Sequence, residues 1–189
     1  MVDMRFKIFF LAGALTLSFA LNAVAQSAAR ETYTGTMVGI GGRRSVTRAF
    51  TLAITGRTSD AEVRRDVALL AEAGQDELLK TIDDRDLGRF SLGGQLGRRL
   101  NFVGETTLAN GDRKLMILFE RWIDIYERRY GVRSLDYPFG YVELIVDRNG
   151  RGEGTFIPAA RVRFNSRNEI EVENFGIYPA RLYGVRRRS

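Results

Sequence analysis

The chain contains neither cysteine nor histidine among its 189 residues. Without cysteine there is no disulfide, no thiolate nucleophile and no lipid-modified cysteine. Without histidine the commonest general base and the commonest metal ligand are gone. Together the two absences exclude Ser-His-Asp and Cys-His chemistry and a conventional zinc site. Carboxylates, lysine, tyrosine and hydroxyls are all that remain for catalysis. Lysine itself stands only at positions 7, 80 and 114, so nearly all the positive charge is arginine. Beyond residue 25 no apolar run is long enough to span a bilayer.

Residues 1–25 carry the three parts of a secretory signal in order. Arg5 and Lys7 give a positive start, Ile8 to Ala20 is uncharged and apolar, and Ala23-Val24-Ala25 supplies small residues before Gln26. The apolar run covers ~13 residues against the roughly 20 that a spanning helix needs. The expectation is cleavage near Ala25-Gln26 and a mature protein in the periplasm or outside the cell. Residues 26–31 read as a flexible lead-in and 32–189 as a single β-rich domain. A domain of that size can bury a core of its own.

The formal charge is +6, with 28% charged and 44% hydrophobic residues, as in an ordinary globular chain. Arginine in place of lysine has two readings: a surface for phosphate or carboxylate partners, or the codon usage of a GC-rich genome. Basic and acidic residues are interleaved, which argues against a nucleic-acid footprint.

The dominant period is two. Thr32 to Ile40 reads as a strand. From Val46 to Thr55, Phe50, Leu52 and Ile54 alternate with Thr51 and Ala53. Ser59 and Glu62 form a capping box. Val63, Val67 and Leu70 follow at helical spacing until Gly74 stops the helix. A second short helix over 76–82 completes a helical hairpin near residues 59–82. Strands follow at 89–92, 100–108, 113–119, 141–146, 154–164, 169–174 and 180–186. Asn110-Gly111 and Asn149-Gly150 read as tight hairpins with positive φ at both central residues. Residues 120–130 fit either a strand or a helix, and an extended reading is preferred. The fold class is therefore mainly β with a small α insertion: an antiparallel up-and-down barrel or sandwich of about 8–10 short strands. An outer-membrane barrel is disfavoured by short strands such as Glu169 to Asn174, which carry glutamates on one face.

The most distinctive segment is Arg133 to Gly140. Arg133, Asp136, Tyr137 and Phe139 are the candidate ligand-binding residues, with the aromatics as an apolar lip and the charges as polar contacts. The alternative is a structural plug, with Asp136 paired to an arginine. Asp147-Arg148-Asn149-Gly150 is only a fragment of a calcium loop and reads as a turn. Gly39 to Gly42 and Gly93-Gly94 open no helix and read as strand ends. Glu169, Glu171 and Glu173 should face Arg161 and Arg163 across a turn as an ion-pair ladder. Arg186, Arg187 and Arg188 offer a weak contact with an anionic surface. No catalytic residue, metal ligand or cofactor site emerges.

The run Arg133-Ser134-Leu135-Asp136-Tyr137-Pro138-Phe139, with Gly152-Glu153-Gly154, Glu173-Asn174-Phe175 and Pro179-Ala180-Arg181-Leu182, resembles a family of exported bacterial proteins of acidobacterial type. That family has no assigned activity, so the resemblance implies an exported single domain and no functional residue. Three functional readings stand. The first is a non-enzymatic exported protein binding a small apolar or amphipathic ligand inside its barrel, with the helical hairpin closing one end. The second is an envelope-associated structural or protein-interaction module with a filled core. The third is a carboxylate-dependent hydrolase or lyase acting on polysaccharide. Sequence leaves the partner and oligomeric state open.

Overall fold

The computed structural model describes residues 30–41, 44–122, 136–164, 170–174 and 179–188. Residues 1–25, read above as a signal, most of the expected lead-in, Arg133, Glu169 and the ambiguous stretch 123–130 lie outside the described residues. The described chain is mainly β, as expected. Strands β1 (Glu31–Gly41) and β2 (Arg44–Ile54) precede helices α1 (Asp60–Ala73) and α2 (Gln75–Ile82). Then follow β3 (Gly88–Leu92), β4 (Arg98–Arg99), β5 (Phe102–Thr107), β6 (Arg113–Glu120), β7 (Phe139–Val146), β8 (Arg151–Phe164), β9 (Ile170–Asn174) and β10 (Ala180–Arg188).

All these strands join one antiparallel sheet in the order β4-β3-β2-β1-β10-β8-β7-β6-β5, with β9 paired to β8 off this path. The two ends of the order, β4 and β5, are separated in the chain only by Leu100 and Asn101. Leu100 bonds back to Gly88, and the Asn101 N–H donates to the Leu118 carbonyl at 2.9 Å. The path round the curled sheet thus returns to its start through the chain itself. Sheet curling of this kind leaves few open edges.

Alternation decides what lies inside. Phe50, Leu52 and Ile54 of β2, Leu115, Ile117 and Phe119 of β6, and Val142, Leu144 and Val146 of β7 join one interior cluster. Phe90 sits at its centre, with ring centroids 5.2 Å from Phe156, 5.7 Å from Phe119, 6.0 Å from Phe50 and 6.3 Å from Trp122. Such tilted and edge-on contacts are the preferred aromatic geometries. Space for these rings comes partly from Gly140, whose register partner is Phe119. A Cβ at that glycine would run into the Phe119 ring.

The helical hairpin forms for the reasons read from its sequence. Ser59 Oγ accepts from the Glu62 N–H, Glu62 bonds back to the Ser59 N–H at 2.8 Å, and Gly74 ends α1 with its N–H on the Leu70 carbonyl. Its position corrects the expectation that it closes a barrel end. Leu70, Leu78 and Ile82 pack on Leu118, Tyr141, Ile157 and Val162, with Met116 at the margin. These residues alternate with the interior set, so the hairpin lies flat on the outside of the wall. Each buried aliphatic side chain there contributes about 1.5–3 kcal/mol. Asp66, 3% exposed, anchors the hairpin by accepting two bonds from Arg85, at 2.6 and 2.9 Å.

The two Asn-Gly turns are hairpins, but of a different type from the two-residue form expected. Gly111 N–H bonds to the Leu108 carbonyl while Leu108 N–H bonds to Asp112, and Asp147, Gly150 and Arg151 repeat the pattern. Each loop therefore has three residues and only its glycine needs the left-handed region, at φ +84 and +72. This is the turn followed by a bulge that ranks next after two-residue loops. Asx bonds, in which Asn110 Oδ1 accepts from the Asp112 N–H and Asp147 Oδ1 from the Asn149 N–H, favour the longer loop.

Candidate functional site

The expected candidate loop is held down at every described residue. Phe139 is fully buried in the cluster beneath the helices, not at a surface lip. Tyr137 is half-buried and its hydroxyl donates to Glu173 at 3.1 Å. The Arg161 guanidinium lies 5.2 Å above the Tyr137 ring. Asp136 is exposed; its carbonyl accepts from Gln75 at 2.7 Å and from Arg161 Nε at 3.1 Å, and its carboxylate pairs with Arg161 at 3.7 Å. The structure thus brings Asp136, Tyr137 and Phe139 to the seam between α2 and β8–β9. Burial and the bond to Glu173 raise the Tyr137 hydroxyl above its ordinary value. Part of the ladder read from sequence is present beside it: Arg163 reaches Glu171 at 3.4 Å and Glu173 at 3.5 Å, while Arg161 pairs with Asp136.

Sequence reasoning missed the densest polar constellation. Glu31 begins β1, Arg57 follows β2, Glu105 is near the end of β5, Arg113 begins β6 and Arg187 is near the end of β10. Antiparallel pairing brings all five to one end of the shell. Glu31 accepts from Arg57 at 3.0 Å, from Arg113 at 3.1 Å and from Tyr33 at 2.7 Å, with Arg187 at 3.6 Å. Glu105 accepts from Arg57 at 2.8 Å and from both forks of Arg113, at 2.7 and 3.1 Å. Two carboxylates and two guanidiniums form a closed ring roofing the fully buried Tyr33.

The electrostatics of that ring are those of a cap. Burial pushes the Glu31 carboxyl up, but bonds from Tyr33 and Arg113 and the charges of Arg113 and Arg57 outweigh it and hold it below its ordinary value. The Arg113 bond, reinforced by Arg57, holds Glu105 low against its burial. Burial and the bond to Glu31 push the Tyr33 hydroxyl up to about 12. Both acids are thus fixed as ionised acceptors, whereas a general acid needs its proton retained near neutrality. The sequence signal was faint, namely isolated charges at the ends of strands, with Arg113 and Glu31 already 82 residues apart.

Two recesses lie off the interior. One, of about 70 Å³, opens between the hairpin and the wall among Leu70, Leu78, Phe102, Met116, Val162 and Val172. The other, of about 160 Å³, is polar and is lined by Asp83, Arg98, Arg99, Asn101 and Glu120. Neither includes a residue of the interior cluster. At the second, Arg98 pairs with Glu120 at 3.3 Å and covers Trp122 at 5.9 Å.

The arginine run at the chain end is split by strand alternation. Arg187 turns to Glu31 and its N–H bonds to Gly150 at 2.7 Å, whereas Arg186 and Arg188 stand exposed on the outer face. No helix among the described residues is long and apolar enough to cross a membrane. Compared with protein-family models, curated proteins and solved structures, the chain has no match.

Proposed function

We propose that this protein is an exported, non-enzymatic module of the cell envelope that works through its outer surface. The observation that carries this reading is the filled interior, where Phe50, Phe90, Phe119, Phe156 and Trp122 occupy the space a ligand would need. Export, to the periplasm or beyond, rests on the signal-like residues 1–25 and is in keeping with the resemblance to an exported family. The hydrolase reading finds less support, because Glu31 and Glu105, the acids that meet in the ring at one end of the shell, are both held below their ordinary values.

The reading of a small apolar ligand finds a place to act in the recess under the hairpin. Its ~70 Å³ admits a few methylenes, against roughly 300–1,000 Å³ for an ordinary ligand pocket. Two measurements test the proposal. Native mass spectrometry against lipid and hydrophobe panels should show no stoichiometric adduct. Cell-wall and outer-membrane fractions should sediment the protein. An adduct that raises the melting temperature, or a protein left wholly in the supernatant, contradicts the reading.

A further inference from the structure

We propose that the outer face of β8, β10 and β1 binds an anionic polysaccharide, whose acidic groups pair with Arg151, Arg186 and Arg188 and whose sugar rings lie against Tyr183 and the threonines of β1. The proposal rests on the envelope-surface reading above and names the partner class.

The register places these residues side by side. Arg186 stands opposite Arg151 on one flank and opposite Thr34 on the other, and Arg188 stands opposite Thr32. Like charges directly opposite on neighbouring strands destabilise a sheet. Arg57, Arg85, Arg113, Arg161 and Arg163 have carboxylate partners, whereas Arg48, Arg64, Arg65 and Arg148 pair with no carboxylate among the described residues but do not stand opposite another arginine in the sheet. Among the described residues no carboxylate pairs with Arg186 or Arg188. Arg188 reaches only the Thr34 hydroxyl, at 3.4 Å. The nearby Asp147 feels the Arg151 charge, but it is engaged by the backbone N–H groups of Asn149 and Arg151. An unneutralised pair of facing guanidiniums is the arrangement that a bound anion would stabilise.

The rest of the face indicates which anion carrier fits. Strand alternation spaces Arg186 and Arg188 by ~7 Å along one face. A bulge at Gly184 keeps Tyr183 on this outer side, opposite Thr36 and 46% exposed, while Leu182 and Val185 point inward. β1 and β2 extend the face with Thr34, Thr36, Ala49 and Thr51 in register. The result is a strip with hydroxyl partners and one exposed aromatic ring, bordered on β8 and β10 by the Glu153–Arg181 ion pair. It lacks the apolar prominence that would insert into a bilayer. An extended sugar chain carrying carboxylate or sulfate fits this relief.

The test uses protein purified from the periplasm of expressing cells, with polygalacturonate, dextran sulfate, neutral dextran and vesicles of zwitterionic plus anionic lipid as probes. Binding to both charged polysaccharides and not to neutral dextran is expected, weakening as salt rises. Arg186→Gln with Arg188→Gln should lower affinity by ~10-fold or more, and Tyr183→Ala should lower it without changing the salt dependence. Arg163→Gln, an equal change of charge per site on another face, should leave binding intact. Circular dichroism verifies that each variant is folded. Binding that ignores the Arg186 and Arg188 changes, or binding to vesicles alone, overturns the site. If the native protein sediments with envelope fractions and the double variant does so equally, this site falls while the envelope-surface reading stands. If the native protein does not sediment at all, that reading falls.

Discussion

Arg113 and Glu31 are 82 residues apart in sequence and 3.1 Å apart in space. Their contact closes one end of the shell, because Arg113 at the same time holds Glu105 by two bonds. Replacing Arg113 with alanine leaves two partly buried carboxylates short of their main donor. Urea denaturation should show a loss of about 1–3 kcal/mol. Arg113→Lys should recover only part of it, since an ammonium cannot supply the planar fork.

The same ring sets the pH response. Glu31 and Glu105 are both held below their ordinary values in the folded protein. Their contribution is therefore present above the unfolded carboxylate value of about 4.3 and is lost as pH falls through the lower folded values. Melting temperature should drop on acidification below that point, and the drop should be shallower in a Glu31→Gln, Glu105→Gln variant measured by circular dichroism. On the alkaline side Tyr33 has the opposite sign. Its hydroxyl is raised to about 12, so stability should fall as pH rises from about 10, and Tyr33→Phe should remove that alkaline limb.

Gly140 and Phe119 form a size-matched pair across β6 and β7. Gly140→Ala should cost about 1–3 kcal/mol, because an added methyl overpacks a filled core. Phe119→Leu should lower that cost. A double-mutant cycle reads the coupling directly, and strictly additive effects would show that the two residues do not compete for space.

Asp66 and Arg85 bind the helical hairpin to the segment that enters β3. Asp66→Ala leaves Arg85 without its carboxylate and should destabilise by about 3 kcal/mol. Hydrogen exchange should quicken first in α1 and α2, because the hairpin lies outside the wall and can open as a unit.

The parts of this fold that are local in origin were legible in the sequence. The capping box of Ser59 and Glu62, the Gly74 stop and the alternation of Phe50, Leu52 and Ile54 each act within a few residues. What escaped is long-range. No local pattern says that Glu31, Arg57, Glu105, Arg113 and Arg187 meet, because strand order and register bring them together. The hairpin's place on the outer wall was equally hidden: Leu70 and Leu78 show that a face is buried, not what it is buried against. In the candidate segment, Phe139 proved to be core and Asp136 an ion-pair partner of Arg161, since an apolar ring between two strands serves packing as readily as a ligand. In the terminal arginine run, simple alternation would have separated Arg187 from its neighbours.

The most direct test of a filled shell is a titration of the protein with N-phenyl-1-naphthylamine, a small hydrophobic fluorophore, followed by methyl and aromatic NMR. A packed interior predicts no saturable fluorescence gain and unmoved resonances for Phe90, Phe119 and Phe156. Stoichiometric binding that shifts those three rings would show a hollow interior and contradict the proposed function.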